Sequence, residues 1–501
     1  WDQKGYYATQ VATEIMGSAP LVGPYVQTFV QGGTSYGHHT LTRFFALHAG
    51  LLPALLIGFL ALHIYVFRRH SIHAVVVEGR EEGMFWPDQV LKDAVACLAV
   101  LAAILTATWY WHGAELTAPA NPAEAYSAAR PEWYYLFLFR FLKFPLVSQL
   151  GEYTHLGEAF GAIVVPGIAM TFIILMPLIA HIRGGHRFNV AFLWVMIGIA
   201  GVLTGIAYYE DWYADTPEGQ NFRQAVSEAH RDGARVVALA NSPTGIPPEG
   251  ALTLFRTDPL TQGPAVFSKY CLSCHQPAEE MPSIKDTPTA PPLADPRHRE
   301  ESYFASRDWI RSVLMDFGTH FERLKNIEGD RAEPATAILE GSMLTWSQDN
   351  AETLQDEANK ADFEALVEFL YAQSRRPDAL SPVDEIVERG KQIFISGEMS
   401  SGSIDACVDC HSMHALTVVN DQIVLEEEAL SEDLQPILTG YGSTAWLKAF
   451  ISDPQAHYAG EYGNNAMPAF ADQLSELELD LVARWLAKDY YLPGGEAVAE
   501  H

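Results

Sequence analysis

Two five-residue segments of the chain combine two thiols and an imidazole at the same spacing. They are Cys271-Leu272-Ser273-Cys274-His275 and Cys407-Val408-Asp409-Cys410-His411. Cys-x-x-Cys-His is the attachment sequence of c-type haem, in which the thiols bond to the porphyrin and the histidine ligates iron. Zinc is the alternative, but a zinc site needs two further Cys or His at short spacing, and neither segment has a second Cys pair nearby. We therefore predict two covalent c haems, attached at Cys271, Cys274, Cys407 and Cys410 with His275 and His411 as ligands.

The residues around these segments form a tandem repeat. A Gly-x-x-x-Phe pattern, Gly263 to Phe267 and Gly390 to Phe394, precedes each one, and a helical pattern centred on Trp309 or Trp446 follows. Each copy ends in an amphipathic helix. This order resembles class I cytochrome c, in which the first and last helices cross beside the haem. The resemblance implies two such domains, 262–376 and 377–494. Before them, a predicted helix around 220–240 and the turn-rich stretch Ser242 to Pro248 indicate a tether at 211–261.

Class I cytochromes c usually take a methionine sulfur as the second axial ligand, from a loop before the last helix. Met467, in Asn465-Ala466-Met467-Pro468, matches that pattern. Met343 holds the equivalent place in the first repeat but lacks the following proline, and Met315 and His320 are alternatives to it. Met281 and Met413 lie too near the attachment segments to reach the far haem face, and we predict surface or packing positions for them.

The charge of the chain is unevenly distributed. The whole chain has 32 Lys and Arg against 62 Asp and Glu, a net charge of −30, which argues against nucleic acid as a partner. Residues 211–501 carry 21 basic and 49 acidic side chains, whereas residues 1–210 carry 11 and 13. Because the near-neutral part holds the long apolar runs, we predict a membrane module followed by an acidic soluble module. A purely soluble enzyme is excluded.

Four stretches, 44–67, 91–112, 160–182 and 189–208, are long enough to cross a bilayer as helices. Basic residues lie between the first and second stretches and between the third and fourth: Arg68, Arg69, Arg80, Lys92, Arg183 and Arg187. By the positive-inside rule both connections face the cytoplasm. The N-terminal segment, the 113–158 loop and the residues after 210 are then extracytoplasmic.

The first span contains His48 and His63, 15 residues apart. At about 100° and 1.5 Å per residue, both imidazoles lie on one broad face, roughly 22 Å apart along the helix. Ionisable groups inside a membrane are costly and usually functional, and this spacing favours two stacked haems, each taking one imidazole. Hydrogen bonds between helices are the alternative. We predict interfacial positions for the histidines at the ends of the span, His38, His39, His70 and His73.

Residues 1–210 resemble cytochrome b of the quinol:cytochrome c reductases of the bc and bf types. The resemblance rests on Trp1-Asp2-Gln3, Gly17-Ser18-Ala19-Pro20, Leu41-Thr42-Arg43-Phe44 with the two histidines, and Pro131-Glu132-Trp133-Tyr134. It begins near the end of the family's third transmembrane helix, and the histidine spacing is more similar to the bf branch. It implies that His48 ligates the b haem nearer the outer face and His63 the one nearer the cytoplasm. Arg43 would pair with a haem propionate, or it is a snorkelling interfacial residue.

In the family, the opposing histidine pair comes from the second helix. We therefore expect two b haems shared with upstream cytochrome b helices, supplied by a separate chain or by a missing N-terminus. The first residue is Trp1 instead of Met, which favours truncation without excluding a split gene.

The tetrapeptide Pro131 to Tyr134 falls in the outer loop by the charge rule, and the resemblance also implies the quinol-oxidation site there. Oxidation of a hydroquinone requires a base beside an electron acceptor, and Glu132 supplies a carboxylate in a semi-apolar setting. Tyr134 is the second catalytic candidate, with Pro131 and Trp133 at the quinol site. The alternative is a surface glutamate within an interfacial aromatic belt.

These inferences predict an all-α chain of four transmembrane helices of cytochrome b type, residues 1–210, followed by two tandem class I cytochrome c domains. The resemblance implies a redox subunit of a quinol:cytochrome c oxidoreductase in a bacterial inner membrane, with the c domains on the periplasmic side. Expected partners are quinone, a separate Rieske iron–sulfur protein, and a soluble cytochrome or terminal oxidase, in a dimeric complex. The competing hypothesis is a membrane-anchored dihaem electron carrier without quinol chemistry.

Overall fold

The computed structural model describes residues 1–71, 79, 83–111, 117–121, 126–277, 288–431, 436–457 and 465–493, which are mostly helical. They divide into two compact units, Trp1–Val236 and Val237–His501. The predicted interfacial His73 and the predicted surface residue Met281 lie outside the described residues.

Helices α1 to α10 begin in the first unit. They are α1 (Gln3–Gly17), α2 (Gly23–Gln31), α3 (His38–Phe45), α4 (Leu52–His70), α5 (Val90–Trp111), α6 (Leu136–Leu142), α7 (Pro145–Tyr153), α8 (Val165–Ile179), α9 (Gly185–Trp212) and α10 (Pro217–Ala240). A π-helical turn, Ala46–Leu51, joins α3 to α4 without a break, and similar turns precede α5 and α8. The predicted helix of the tether is present as α10.

Four helices of this unit are long and apolar enough to cross a membrane: His38–His70, Phe85–Tyr110, Phe160–Ile179 and Gly185–Trp212. The prediction of four spans is confirmed in number and position. In the first three, none of the most apolar stretch is buried within the chain. Helices that are apolar on all sides are suited to lipid or to the helices of partner chains.

Helices α11 to α22 follow in the second unit. They are α11 (Ala251–Arg256), α12 (Pro259–Tyr270), α13 (Arg307–Met315), α14 (Phe317–His320), α15 (Ala332–Leu339), α16 (Ser342–Asp349), α17 (Ala351–Gln355), α18 (Lys360–Gln373), α19 (Glu385–Ser396), α20 (Thr444–Ser452), α21 (Pro454–His457) and α22 (Glu476–Ala487). The two predicted tryptophan-centred helices are present as α13 and α20. They start with the same cap: Ser306 Oγ accepts from the Trp309 amide at 3.2 Å, and Ser443 Oγ accepts from the Trp446 amide at 3.3 Å.

A short β-hairpin departs from the all-α prediction. Strands β1 (Leu416–Val419) and β2 (Gln422–Leu425) pair antiparallel around Asn420 and Asp421. Both turn residues have positive φ, 53° and 62°, as a two-residue hairpin turn requires. β-branched residues flank an Asn-Asp pair, so local residue preference explains the hairpin.

The helices of the second unit do not pair as the tandem prediction expects. α12, at the start of the first repeat, packs on α22 at the end of the second, and α18 at the end of the first repeat packs on α19 at the start of the second. Two hydrophobic cores result. The first-motif core contains Cys271 together with α12, α20 and α22, and the second-motif core contains Cys407 together with α13, α18 and α19.

Candidate functional site

The two Cys-x-x-Cys-His segments fold into the same tight turn. The amides of Cys274 and His275 donate to the Cys271 carbonyl at 3.1 and 3.0 Å. In the second segment the amides of Cys410 and His411 donate to the Cys407 carbonyl at 3.2 and 2.9 Å. The first thiol of each segment is buried, whereas Cys274 is half-buried and Cys410 is exposed. Each turn therefore presents two thiols and an imidazole from one short stretch of backbone.

Both imidazoles are held by a proline carbonyl through the same ring atom. His275 Nδ1 lies 2.7 Å from the Pro291 carbonyl oxygen, and His411 Nδ1 lies 3.2 Å from that of Pro436. An Nδ1–H that donates to a carbonyl leaves Nε2 as the ligating nitrogen. Burial lowers the pKa of His275 to about 4 and also lowers the pKa of His411. Both rings are thus neutral at pH 7, as an iron ligand must be.

The sequence interpretation missed the two prolines that orient these histidines. Their signal is a Pro-x-Leu pattern after each motif: Pro291-Pro292-Leu293 and Pro436-Ile437-Leu438. Leu293 packs against the first-motif core and Leu438 against the second-motif core. The pattern lies at a different distance from each motif, so a comparison of the two repeats at fixed spacing does not reveal it.

The arrangement of the thiols and imidazoles fits thioether attachment better than zinc. Burial raises the pKa of Cys271 and of Cys407 to about 12, so both are neutral thiols at pH 7. Within the described ranges, the side chains grouped closely enough to hold a metal ion are Asp295, His298 and Glu301. Neither Cys-x-x-Cys-His segment forms such a cluster, so each fits a haem whose macrocycle separates the thiols from the iron ligand.

The candidate second ligands are distributed between the two cores. Met467 is half-buried against the first-motif core, whereas Met343 and Met315 lie against the second-motif core. His320 packs edge-on against Trp309, also at the second-motif core, and its Nε2 is buried without a hydrogen-bond partner. Met413 is fully buried in the second-motif core, in agreement with a packing role.

His48 and His63 lie on one continuous helical span, and both are exposed in this chain. His48 sits within the π-helical turn Ala46–Leu51. Such a turn holds one residue more than an α-helical turn, so the 15-residue spacing behaves as about 14 α-helical residues, roughly 40° of rotation. The two imidazoles therefore still share a face. A shared face is the arrangement that the predicted pair of haem ligands requires.

Arg43 contacts Phe29 of the N-terminal segment in two ways. Its guanidinium donates to the Phe29 carbonyl oxygen and lies 5.8 Å from the centre of the Phe29 ring. The Arg43 side chain is exposed.

The tetrapeptide Pro131 to Tyr134 begins a 3₁₀ turn ahead of α6. Glu132 is the residue before this turn, and its carbonyl accepts from the Tyr135 amide at 2.8 Å. The Glu132 carboxylate is exposed and forms an ion pair with Lys4, with Lys4 Nζ and Glu132 Oε1 2.8 Å apart. Trp133 and Tyr134 are also exposed and meet edge-to-face, with ring centroids 5.6 Å apart. The structure thus brings the predicted quinol-site residues together on one open surface.

Two ion pairs fasten this loop to the end of α9. Arg130 donates to both Asp211 carboxylate oxygens at 2.9 to 3.2 Å, and Arg140 binds Glu210 at 2.9 Å. These pairs neutralise two of the three basic residues of a loop that the charge rule places outside. They also hold the tetrapeptide at the same end of the spans as the residues that follow α9.

The N-terminal segment adds to the same surface. The Gln3 amide donates to the Ala118 carbonyl at 2.8 Å, and Gln3 Oε1 accepts from the Asn121 amide at 2.8 Å. Residues 1–4, 117–121 and 131–135 therefore meet, as the predicted alternation of spans requires.

Comparison with known proteins finds similarity in the first part of the chain. Residues 1–128 match the family described as cytochrome b (N-terminal)/b6/petB. Cytochrome b of Albinaria caerulea is 33% identical over 157 residues, which cover 30% of this chain and 42% of that protein. A protein named cytochrome b/c1 from Bradyrhizobium diazoefficiens is 32% identical over 151 residues, 28% of this chain and 22% of that protein.

A bacterial relative extends the comparison. Cytochrome b of Rhodobacter capsulatus is 30% identical over 157 residues, covering 28% of this chain and 36% of that protein. The chain spans less than half the length of each of these curated relatives. The similarity to cytochrome b thus lies in the N-terminal part of the chain, which holds the four apolar helices.

Proposed function

We propose that this chain is a redox subunit of a quinol:cytochrome c oxidoreductase of the bc type. In this proposal it oxidises quinol at the outer membrane face and passes electrons through b haems and through c haems fused to the same polypeptide. The observation that carries the proposal is the presence, in one chain, of a cytochrome b-type region and two Cys-x-x-Cys-His turns with carbonyl-oriented histidines.

The b haems are proposed to take one ligand each from His48 and His63. Because the span that carries them is exposed on all sides within the chain, the opposing ligands are assigned to upstream cytochrome b helices, in a separate chain or in residues preceding Trp1. A b haem bound there would carry electrons across the membrane. Arg43, at the outer end of this span, is the candidate for pairing with a propionate.

Quinol oxidation is assigned to the surface around Pro131, Glu132, Trp133 and Tyr134. Glu132 would accept a proton from the hydroquinone, while Tyr134 and Trp133 supply aromatic faces for the ring. The Lys4 ammonium already holds the Glu132 carboxylate in one orientation. The clamps from Arg130 and Arg140 fix the loop to α9, so the site rests on a membrane-spanning element.

The c haems are proposed to be bound covalently by Cys271 and Cys274 and by Cys407 and Cys410, with His275 and His411 as proximal ligands. Met467 and Met343 are the proposed sulfur ligands, with Met315 and His320 as alternatives to Met343. The name of the Bradyrhizobium relative, cytochrome b/c1, supports a chain that combines both cytochrome types.

The proposed partners follow from the reaction. A separate Rieske protein takes the first electron from quinol, and a soluble cytochrome or a terminal oxidase accepts electrons from the c haems. We place the c domains on the periplasmic side of a bacterial inner membrane and expect a dimeric complex.

Purification of the native complex through a tag on this chain tests the proposal. We expect a Rieske subunit, b haem and quinol-driven reduction of the c haems in the purified material. A preparation with covalent c haem but with neither b haem nor quinol-driven reduction would instead support the membrane-anchored electron carrier.

A further inference from the structure

The helices that precede the two attachment motifs cross helices of the opposite repeat at equivalent glycines. A Cβ added to Gly263 of α12 would lie 2.3 Å from the Trp485 Cβ of α22, so only glycine permits this approach. The rings of Phe267 and Trp485 meet edge-to-face with centroids 5.3 Å apart. These contacts join the first repeat's opening helix to the second repeat's closing helix.

At the second crossing, the opening helix of the second repeat, α19, packs on the closing helix of the first repeat, α18. A Cβ added to Gly390 of α19 would lie 2.0 Å from the Ala365 carbonyl oxygen of α18. Phe394 lies against Phe369, with ring centroids 5.4 Å apart. The Gly-x-x-x-Phe pattern of each repeat therefore receives the closing helix of the other repeat.

The polypeptide passes from one core to the other near Ala305 and again near Gly442, and these two residues are in contact. A Cβ added to Gly442 would lie 3.3 Å from the Ala305 Cβ, and Ala305 is fully buried with a φ of 52°. The buried Arg376 guanidinium secures this junction by donating to the carbonyls of Phe304 and Leu486, both at 2.7 Å. The second-motif core is therefore built from the continuous stretch between Trp309 and Leu438, and the first-motif core from residues on either side of that stretch.

The candidate sulfur ligands follow the exchanged helices. Met467, from the second repeat, lies against the core that contains Cys271 of the first. Its loop is held from both sides: the Met467 amide donates to Asn465 Oδ1 at 2.9 Å, and Arg331 of the first repeat donates to the Ala466 carbonyl at 3.4 Å.

We propose that each c-haem site is shared between the repeats, with Met467 as the axial ligand opposite His275 and not opposite His411. The haem of the second motif then takes its donor from the first repeat, from Met343, Met315 or His320. This inference rests on the proposed attachment of haem at both motifs. Covalent attachment would hold the iron beside its own motif, where the candidate sulfur in the same core would be available to it.

Two single-haem forms of the full chain test the assignment. Cys407→Ala with Cys410→Ala leaves the first-motif haem, and Cys271→Ala with Cys274→Ala leaves the second-motif haem. We expect Met467→His to remove the sulfur-to-iron absorption and lower the midpoint potential in the first form, and to change neither in the second. Any other pattern, including loss only in the second form or in neither, overturns the exchange. Absence of covalent haem from the unsubstituted chain would instead refute the proposed function.

A zero-length cross-link provides a measurement on the unsubstituted chain. Lys269 Nζ of α12 and Glu478 Oε1 of α22 are 3.4 Å apart. Lys269 belongs to the first repeat and Glu478 to the second. Lys448 Nζ and Asp480 Oδ1, 2.9 Å apart within the second repeat, are the matched control. After carbodiimide treatment we expect both linked peptides in the monomer band of a denaturing gel. Recovery of the control link without the Lys269–Glu478 link in that band overturns the exchange.

Discussion

At the scale of a single residue, Glu132 lies between an aromatic pair and the N-terminal segment. Its place beside Trp133 and Tyr134 supplies a carboxylate next to aromatic faces, and its ion pair with Lys4 brings the N-terminal segment to the same surface. The carboxylate is exposed and can exchange protons with solvent, as a base that must turn over requires.

We expect Glu132→Gln to slow quinol-dependent reduction of the c haems by at least about tenfold, because a base typically contributes about 10²- to 10⁴-fold and water covers part of the loss. The measurement is the rate of c-haem reduction in the assembled complex with quinol as donor.

Glu152→Gln is the matched control for Glu132, since Glu152 is another exposed carboxylate of the same outer region, on α7. It should leave the quinol rate unchanged. Reduction by a soluble chemical donor should be normal in both variants. Unchanged quinol kinetics in a fully assembled Glu132→Gln complex would leave Glu132 as an interfacial residue.

At the scale of elements, Asp362 is the polar link between α18 and the residues that lead to the second motif. Its oxygens accept from Arg389 Nε and Nη2, both at 2.8 Å, and from the Ser400 amide and hydroxyl at 2.6 and 2.8 Å. Hydrogen bonding by Arg389 is the main cause that lowers the pKa of Asp362 to about 2. Since this pKa is depressed in the folded state, ionisation of Asp362 stabilises the fold above pH 4, and the effect is lost as pH falls from about 4 to about 2.

Asp362→Asn should therefore lower the free energy of unfolding by about 2 kcal/mol at pH 7, and by clearly less at pH 3. Urea unfolding of the full chain in detergent, followed by tryptophan fluorescence, measures this difference at both pH values. Asp308→Asn removes an exposed pair with Arg311 and should change stability little. An Asp362→Asn effect that is equal at both pH values would contradict the ionic contribution.

Local signals in the sequence predicted individual elements better than their partners. The four spans, the helices at Trp309 and Trp446, and the tether helix were all readable from apolar length and helical pattern. The β-hairpin was missed although Asn420-Asp421 is a turn signal, because its strands are only four residues each. The α12–α22 pairing was not readable, since the two closing helices have similar apolar faces and period alone does not say which one packs on Gly263.

In the candidate sites, too, residues within one stretch of sequence were predicted and contacts between distant stretches were not. The attachment motifs and the tetrapeptide Pro131 to Tyr134 are contiguous in sequence, so residue spacing indicated the motifs and the resemblance to cytochrome b indicated the tetrapeptide. The Pro291 and Pro436 carbonyls, the Lys4–Glu132 pair and the Arg130–Asp211 clamp join residues distant in sequence and needed the structure.

At the scale of the whole molecule, the proposed function requires two haems on one polypeptide. We expect haem stain on this chain after denaturing electrophoresis, and a mass that includes two haems. Cys271→Ala with Cys274→Ala should remove one of them, since each motif needs only its own thiols. If the chain carried no covalent haem, the proposed electron-transfer role of the second unit would be wrong.

The acidic excess after residue 210 predicts how the molecule meets its acceptor. We expect the second-order rate of electron transfer to a basic soluble cytochrome to fall at least about tenfold between roughly 0.01 and 0.15 M ionic strength, because salt screens attraction between opposite charges. Stopped-flow reduction kinetics measure it, with a neutral small-molecule acceptor as the control. A rate that does not depend on salt would assign the carboxylates to solvation alone.

The pairing of α12 with α22 also sets an order of events during synthesis. Lys269 and Glu478, which join these helices, are 209 residues apart, so the ribosome completes α12 long before its partner exists. Until α22 arrives, the apolar face around Phe267 has no cover, and such late, long-range closure slows folding. A chain that ends before α22 therefore leaves Phe267 exposed to solvent and to proteases, whereas a chain that includes α22 buries it.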